Sequence, residues 1–273
     1  MRAQFESHSA RGRHMAGTEG MMKPGLFALF LFAHWTDTAL AGHPLLTEDT
    51  GTQGTGHVQL ELTHDLSHAK DAASDARTQR FNAVLSVGLA ENLDAIAALP
   101  YERLTERLDA AAPTSEGLGD MEIAAKWRFY DKDALSFALR PGLGLPTGHE
   151  DEGLGAGHVT PSLFAVMTYA RAPWTFHLHI GYTHTPHPAP DERNHVSHAS
   201  VAVEYKLSGS VRLVSDASLE SNAERSGHPG VGSMVLGLIY SVSPNLDIDI
   251  GYRKGMTQPA PDQAWLTGLA LRF

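Results

Sequence analysis

From residue 57 onward the chain alternates large apolar residues with small or polar ones at a period of two, in segments joined by connections that are long and short in turn. In "DMEIAAKWRFY", Met121, Ile123, Ala125, Trp127 and Phe129 share one face, while Glu122, Lys126, Arg128 and Tyr130 share the other. "ALSFALRPGLGL" sets Leu135, Phe137, Leu139, Leu143 and Leu145 opposite Ser136, Arg140, Gly142 and Gly144, and only the hairpin-sized "DKD" separates the two segments. Such a period builds strands. Twelve are predicted, near 57–65, 78–89, 93–103, 119–130, 134–145, 158–170, 174–185, 195–207, 210–220, 231–242, 246–254 and 263–273.

The long connections are "SHAKDAASDA", "TERLDAAAPTSEG", "PTGHEDEGLGAG", "PHPAPDERN", "SNAERSGHPG" and "GMTQPAPD"; the short ones are "EN", "DKD", "RAP", "SG" and "SPN". A soluble sandwich has no reason to sort its loops by parity. An all-β, antiparallel transmembrane barrel of about 12 strands does, with long extracellular loops and short periplasmic turns. In hydrocarbon an open strand edge would leave its N–H and C=O groups without partners, so the first strand must close on the last. That last strand, "AWLTGLALRF", sets Trp265, Thr267, Leu269, Leu271 and Phe273 against Ala264, Leu266, Gly268, Ala270 and Arg272. Its aromatic end resembles the signature that outer-membrane proteins present to the barrel-assembly machinery. Trp127, Phe129, Phe137, Tyr169, Trp174, Phe176, Tyr182, Tyr205, Tyr240 and Tyr252 also fall at or near strand ends, where interfacial girdles sit.

The N-terminus reads as an export signal. Lys23 begins it, Leu26 to Phe32 is its apolar core, and Ala39-Leu40-Ala41 is a small-x-small cleavage site, so residues 1–41 form an extension plus a cleaved signal peptide. Residues 42–56 are a Gly/Thr-rich leader that suits crossing or filling the periplasmic mouth, and 57–273 are the barrel. The chain has no cysteine, so an exported fold must hold without disulfides. Its formal charge of −10 excludes the basic stripe that nucleic acid would need.

"PLLTEDTGTQGTGHVQLELT" (44–63), "GLGDMEIAAKWRFY" (117–130) and "LRPGLGLPTGHEDEGLGAG" (139–157) resemble the family labelled putative MetA-pathway of phenol degradation, over Pro44 to Phe273. The resemblance implies a monomeric outer-membrane barrel of a Gram-negative cell, with a transport role. The expected function is a channel admitting small solutes, aromatic or hydrophobic compounds among them, with outer-membrane lipids around it and no cofactor.

Charges cannot face lipid, so they mark the lumen. The candidate lining residues are Glu122, Lys126, Arg128, Arg140, His177, His179, Glu204, Asp247, Asp249 and Arg253, with Glu61, Arg80, Lys206, Arg212 and Arg272 sharing that face. Twelve strands predict a narrow pore, partly obstructed by loops or leader. Gly142 and Gly144 would leave room in it, or allow strand curvature.

Two alternatives rest on histidine, of which there are 16. His177 and His179 share one strand face, and a hairpin register that sets Glu204 opposite His177 would make a weak metal site in a closed, metal-scavenging barrel, with His184, His187, His195 and His198 nearby. An outer-face pair, Ser197 and His184, is the candidate for a lipid hydrolase, but neither a third orienting group nor a G-x-S-x-G elbow accompanies it, so no enzyme activity is expected.

Overall fold

A computed structural model describes residues 42–70, 74–108, 114–186, 188, 191–225, 229–258 and 260–273. The export signal read over 1–41, and His187, lie outside the described residues.

Among the described residues thirteen strands follow in order: β1 (Val58–Lys70), β2 (Ser74–Ala90), β3 (Leu93–Leu108), β4 (Thr114–Leu118), β5 (Met121–Lys132), β6 (Leu135–Leu145), β7 (Thr160–Arg171), β8 (Trp174–His184), β9 (His195–Lys206), β10 (Val211–Ser221), β11 (Gly230–Ser243), β12 (Leu246–Gly255) and β13 (Gln263–Arg272). Each pairs antiparallel with its neighbour in the chain, except that β4 and β5 both pair with β3 at successive heights. Together β4 and β5 therefore make one stave, broken at Gly119–Asp120, and the barrel has twelve. Closure comes from β1 on β13, with Gln59 opposite Arg272 and Leu62 opposite Leu269. The seam is finished by Val58 and Phe273, each donating its N–H to the other's carbonyl, at 3.2 and 2.9 Å.

The alternation sorts side chains as lipid requires. Leu236, Trp265, Ile250 and Val201 stand about half exposed or more, while Val235, Ala264 and Leu266 point inward and are buried. Aromatic residues gather at the short-turn end, where Trp174 lies 4.6 Å from Tyr205 and Phe129 lies 6.3 Å from Phe137, centroid to centroid. A second set, including the Tyr252–Trp265 pair at 5.2 Å, lies toward the long-loop end. Replacing Leu236, at mid-strand on the outer face, by Arg is expected to cost about 2–4 kcal/mol in urea titrations of vesicle-inserted protein. The same change at Tyr240, nearer the short-turn rim, should cost about 0–1 kcal/mol.

Two long connections are shorter than the sequence suggests. β1 continues to Lys70 and β2 begins at Ser74, so most of "SHAKDAASDA" is strand; β3 likewise runs to Leu108 and β4 resumes at Thr114. Above the apolar band the ladder hydrogen bonds persist, while nothing there requires the outward side chains to be apolar.

Candidate functional site

The lumen is occupied by the chain's own residues 42–57, held at three levels. At the short-turn mouth, Gly54 and Gly56 adopt φ of +81° and +80°, which only glycine takes easily, and this lets the leader double back into β1. Gly56 donates to Gly88 O, and Gly88 donates to His57 O, each at 2.9 Å. A Cβ at Gly88 would lie 1.8 Å from Gly54 O, so the wall is cut away where the leader crosses it. Gln53 N–H reaches both oxygens of buried Asp94 at 3.0 Å, and the Thr52 hydroxyl donates to Glu91 O at 2.8 Å. Contacts from Thr55 hold the Glu91 carboxyl, in the turn outside the membrane, below its ordinary pKa.

At mid-height, Glu48 and Asp49 of the leader meet the basic residues of the wall. The Lys126 ammonium, wholly buried, stands 3.3 Å from Glu48 Oε1 and 3.7 Å from Asp49 Oδ1. Arg140 Nε is 3.3 Å from Glu48 Oε2, and its two terminal nitrogens grip both Glu122 oxygens at 2.9 Å. Thr50 N–H donates to Thr168 Oγ1 at 3.1 Å. Deeper still, one Asp216 oxygen accepts the N–H groups of Leu46 (3.0 Å) and Thr47 (2.7 Å). Leu45 is buried with Ala202, Val214 and Ile239, and Leu46 sits against Val235, Ala264 and Leu266. Pro44 lies over Gly237 and Gly251, and His43 bridges Asp249 (2.5 Å) and Asp65 (3.6 Å). The leader thus fills the lumen well beyond the short-turn mouth.

The residues read as lining take their places around it. Glu122, Lys126, Arg140, His177, His179, Glu204 and Asp247 are buried inside the wall. Asp249 binds the leader through His43, and Arg253 lies 3.6 Å from Asp65. Arg128 sits near the short-turn rim, where it pairs with Asp131 at 3.4 Å. Much of this set is a connected network. Arg212 joins Glu204 (2.9 Å) to Asp247 (3.2 Å), and Arg272 joins Asp247 to Gln59, each at 2.9 Å. The inner face therefore binds a segment of the same chain as well as itself, a partner that strand periodicity could not reveal.

Several details differ from expectation. Glu204 faces Thr175 and His177 faces Ala202, so His177 reaches Glu204 only diagonally, at 3.3 Å, while its other nitrogen meets the Thr168 hydroxyl. His179 is turned instead toward His198, ring centroids 5.0 Å apart. Among the described residues no group of three or more His, Asp or Glu side chains is placed to hold a metal ion. Gly142 and Gly144 make room for Glu122, Ser162 and Thr160 of the wall, which would crowd a Cβ at either position. On the outer face Ser197 lies opposite Tyr182, and the His184 ring faces His195 at 4.7 Å with Nδ1 on Asn194 O.

Above the leader remains a cavity of about 120 Å³, lined by Pro44 and Leu46 below, by Leu154 from the β6–β7 loop, by Ala223 from the β10–β11 loop, and by Val196 and Leu266 of the upper barrel. The carboxylates beside it are engaged: Glu102 with Arg80 at 2.9 Å, Glu122 with Arg140, and Asp65 with His43 and Arg253. What it offers a ligand is mostly apolar wall, interrupted by the uncharged side chains of Thr63, Asn82, Thr160, Ser162, Thr183 and Thr185.

A family model described as Putative MetA-pathway of phenol degradation matches residues 47–273. The COG4313 outer membrane channel from Pseudomonas putida F1 superposes with a TM-score of 0.69 at 14% identity, over 82% of this chain and 98% of that one. The KdgM porin in complex with disordered oligogalacturonate gives 0.52 at 10% identity, over 79% and 99%. The translocator domain of the autotransporter NalP from Neisseria meningitidis gives 0.51 at 14% identity, over 81% and 89%. No curated protein sequence matches. At these identities the structures share the barrel fold with this chain.

Proposed function

This chain belongs to the family described as Putative MetA-pathway of phenol degradation, and on that premise we propose that it is an outer-membrane channel admitting small solutes, aromatic or hydrophobic compounds among them, past a leader that stops the lumen at rest. The observation that carries this reading is the leader itself. A barrel needed only as a wall could fill its interior with side chains, as eight-stranded barrels do. Here a separate segment fills a twelve-stranded lumen, attached through hydrogen bonds and ion pairs that can part without opening the wall.

The cavity beyond the leader supports the solute class. An apolar cavity of roughly 150 Å³ holds a benzene-sized ring, and a cavity with its charges already paired disfavours ions. On the same reading residues 1–41 are removed on export, the short turns face the periplasm, and Phe273 is the handle for the assembly machinery.

Planar-bilayer recording tests this directly. Intact protein is expected to show closed or rare, small events, and protein lacking residues 42–53 to show frequent, larger steps. A correctly folded deletion that stays silent would make this a closed barrel and end the channel reading.

A further inference from the structure

The stave made by β4 and β5 breaks at Gly119–Asp120, and the break is where the β6–β7 loop returns over the barrel. Both oxygens of Asp120 are spent on that loop: Oδ1 accepts Gly148 N–H at 2.9 Å and Oδ2 accepts Ala156 N–H at 2.7 Å. One carboxylate thus gathers the two ends of residues 148–156. Between them the loop bonds largely to itself, through Gly153 N–H to Glu150 O and Leu154 N–H to His149 O, both 2.9 Å. Its short helical turn, Glu150–Glu152, has no buried residue. Leu154 is the exception. It is 3% exposed, is turned into the barrel and lines the cavity, and Gly117 leaves the space it occupies: a Cβ there would lie 3.0 Å from Leu154 Cδ1.

We propose that residues 146–157 are a lid over this cavity, that Asp120 is its latch and Leu154 its stopper, and that the cavity is loaded from the long-loop end when the lid lifts. This rests on reading the lumen as a solute path, and it specifies which side of the stopped barrel opens first. The contrast in attachment decides the side. The leader is held by ion pairs, buried leucines and backbone bonds at three levels. The lid is held by Asp120, by Ser115 Oγ on Glu152 O at 2.7 Å, by Thr147 Oγ1, which accepts Met121 N–H at 2.8 Å and donates to Gly119 O at 3.3 Å, and by one leucine. A self-bonded loop with few buried contacts opens locally at far lower cost than a segment threaded through the barrel. Gly157, at φ +69°, closes the loop where it rejoins the wall before β7.

Because the chain contains no cysteine, Ser162→Cys places a single thiol on the cavity wall. Its reaction with a small, charged methanethiosulfonate is followed in reconstituted barrels. Adding Asp120→Ala is expected to speed labelling at least about tenfold, since two hydrogen bonds to a carboxylate are lost. Leu154→Ala, which keeps the latch and removes the stopper, should also speed it. Heat-modifiable migration confirms that each variant is a closed barrel. Unchanged labelling in both folded variants overturns the lid. So does labelling that accelerates only when residues 42–53 are deleted, because loading would then come past the leader. The test needs neither conductance nor a ligand, so a silent leader deletion would sink the channel reading without deciding this one.

Discussion

A barrel carrying Lys126→Met is expected to lose its hold on the leader while staying closed. The ammonium is fully buried and faces Glu48 and Asp49, both on the leader. Removing one partner of a buried ion pair costs about 3–5 kcal/mol, mostly because the other charge is left without compensation. In an ordinary core that cost falls on the whole fold. Here the orphaned carboxylates belong to a segment that can leave, and no strand ladder depends on the ammonium. At 1.4 kcal/mol per tenfold, the ratio of seated to unseated leader falls by roughly two to four powers of ten, toward the lower figure because Arg140 still faces Glu48. A glutamyl endopeptidase reads this directly, since Glu48 is 1% exposed when seated. Residues 42–48 should be clipped rapidly from the variant and retained by the parent protein. Adding Asp49→Asn removes one of the orphaned charges, leaves the cleavage site at Glu48 intact, and should restore part of the protection. A folded Lys126→Met protein that resists clipping would show that something other than this ion pair seats the leader.

What the sequence shows and what it hides divide at the edge of the hydrocarbon. The segments predicted at 134–145, 174–185 and 263–273 become Leu135–Leu145, Trp174–His184 and Gln263–Arg272, because lipid imposes alternation on every residue it touches. Past the lipid that pressure ends, and the upper part of β1, Leu66–Lys70, looks like loop though it is strand. The leader is harder still. It has no period, and its partners lie far along the chain: His43 and Asp249 are 206 residues apart, Thr50 and Thr168 118. The wall gave no signal for it either, because inward parity collects Asp65, Asp94, Glu102 and Asp216 with the other carboxylates, so its lysines and arginines are matched without calling on Glu48 and Asp49 of "TEDT" at 47–50. Asp216 was readable, since it shares strand parity with Arg212, and Asp94 has the parity opposite to the outward Leu99 and Tyr101 of its own strand. What could not be read is that their acceptor oxygens would face backbone N–H groups of the leader rather than a solute.

Filling the two glycines beneath Pro44 is expected to expel the leader's tip without altering any charge. Gly237 and Gly251 sit directly opposite each other across the β11–β12 ladder. A Cβ on Gly237 would lie 2.4 Å from Pro44 Cγ, and one on Gly251 2.6 Å from Pro44 Cβ. The wall cannot yield easily, because the Gly237 Cβ also meets Ile250 O at 3.0 Å, and moving that carbonyl strains the ladder. The proline must move instead. With it go the burial of Leu45, worth roughly 1.5–3 kcal/mol, the smaller contribution of the partly buried Leu46, and the two hydrogen bonds to Asp216. Valine suits the strand and fills the space, so the Gly237→Val/Gly251→Val double variant should still form a heat-modifiable barrel. Its leader should be clipped after Glu48 faster than in the parent, but more slowly than in Lys126→Met, because the mid-height ion pairs remain. Combining all three substitutions should add little to the Lys126→Met rate, since changes that release the same element are not additive. Full protection of Glu48 in the folded double variant would mean that the tip and the ion-paired middle seat independently, so that the leader is two plugs rather than one.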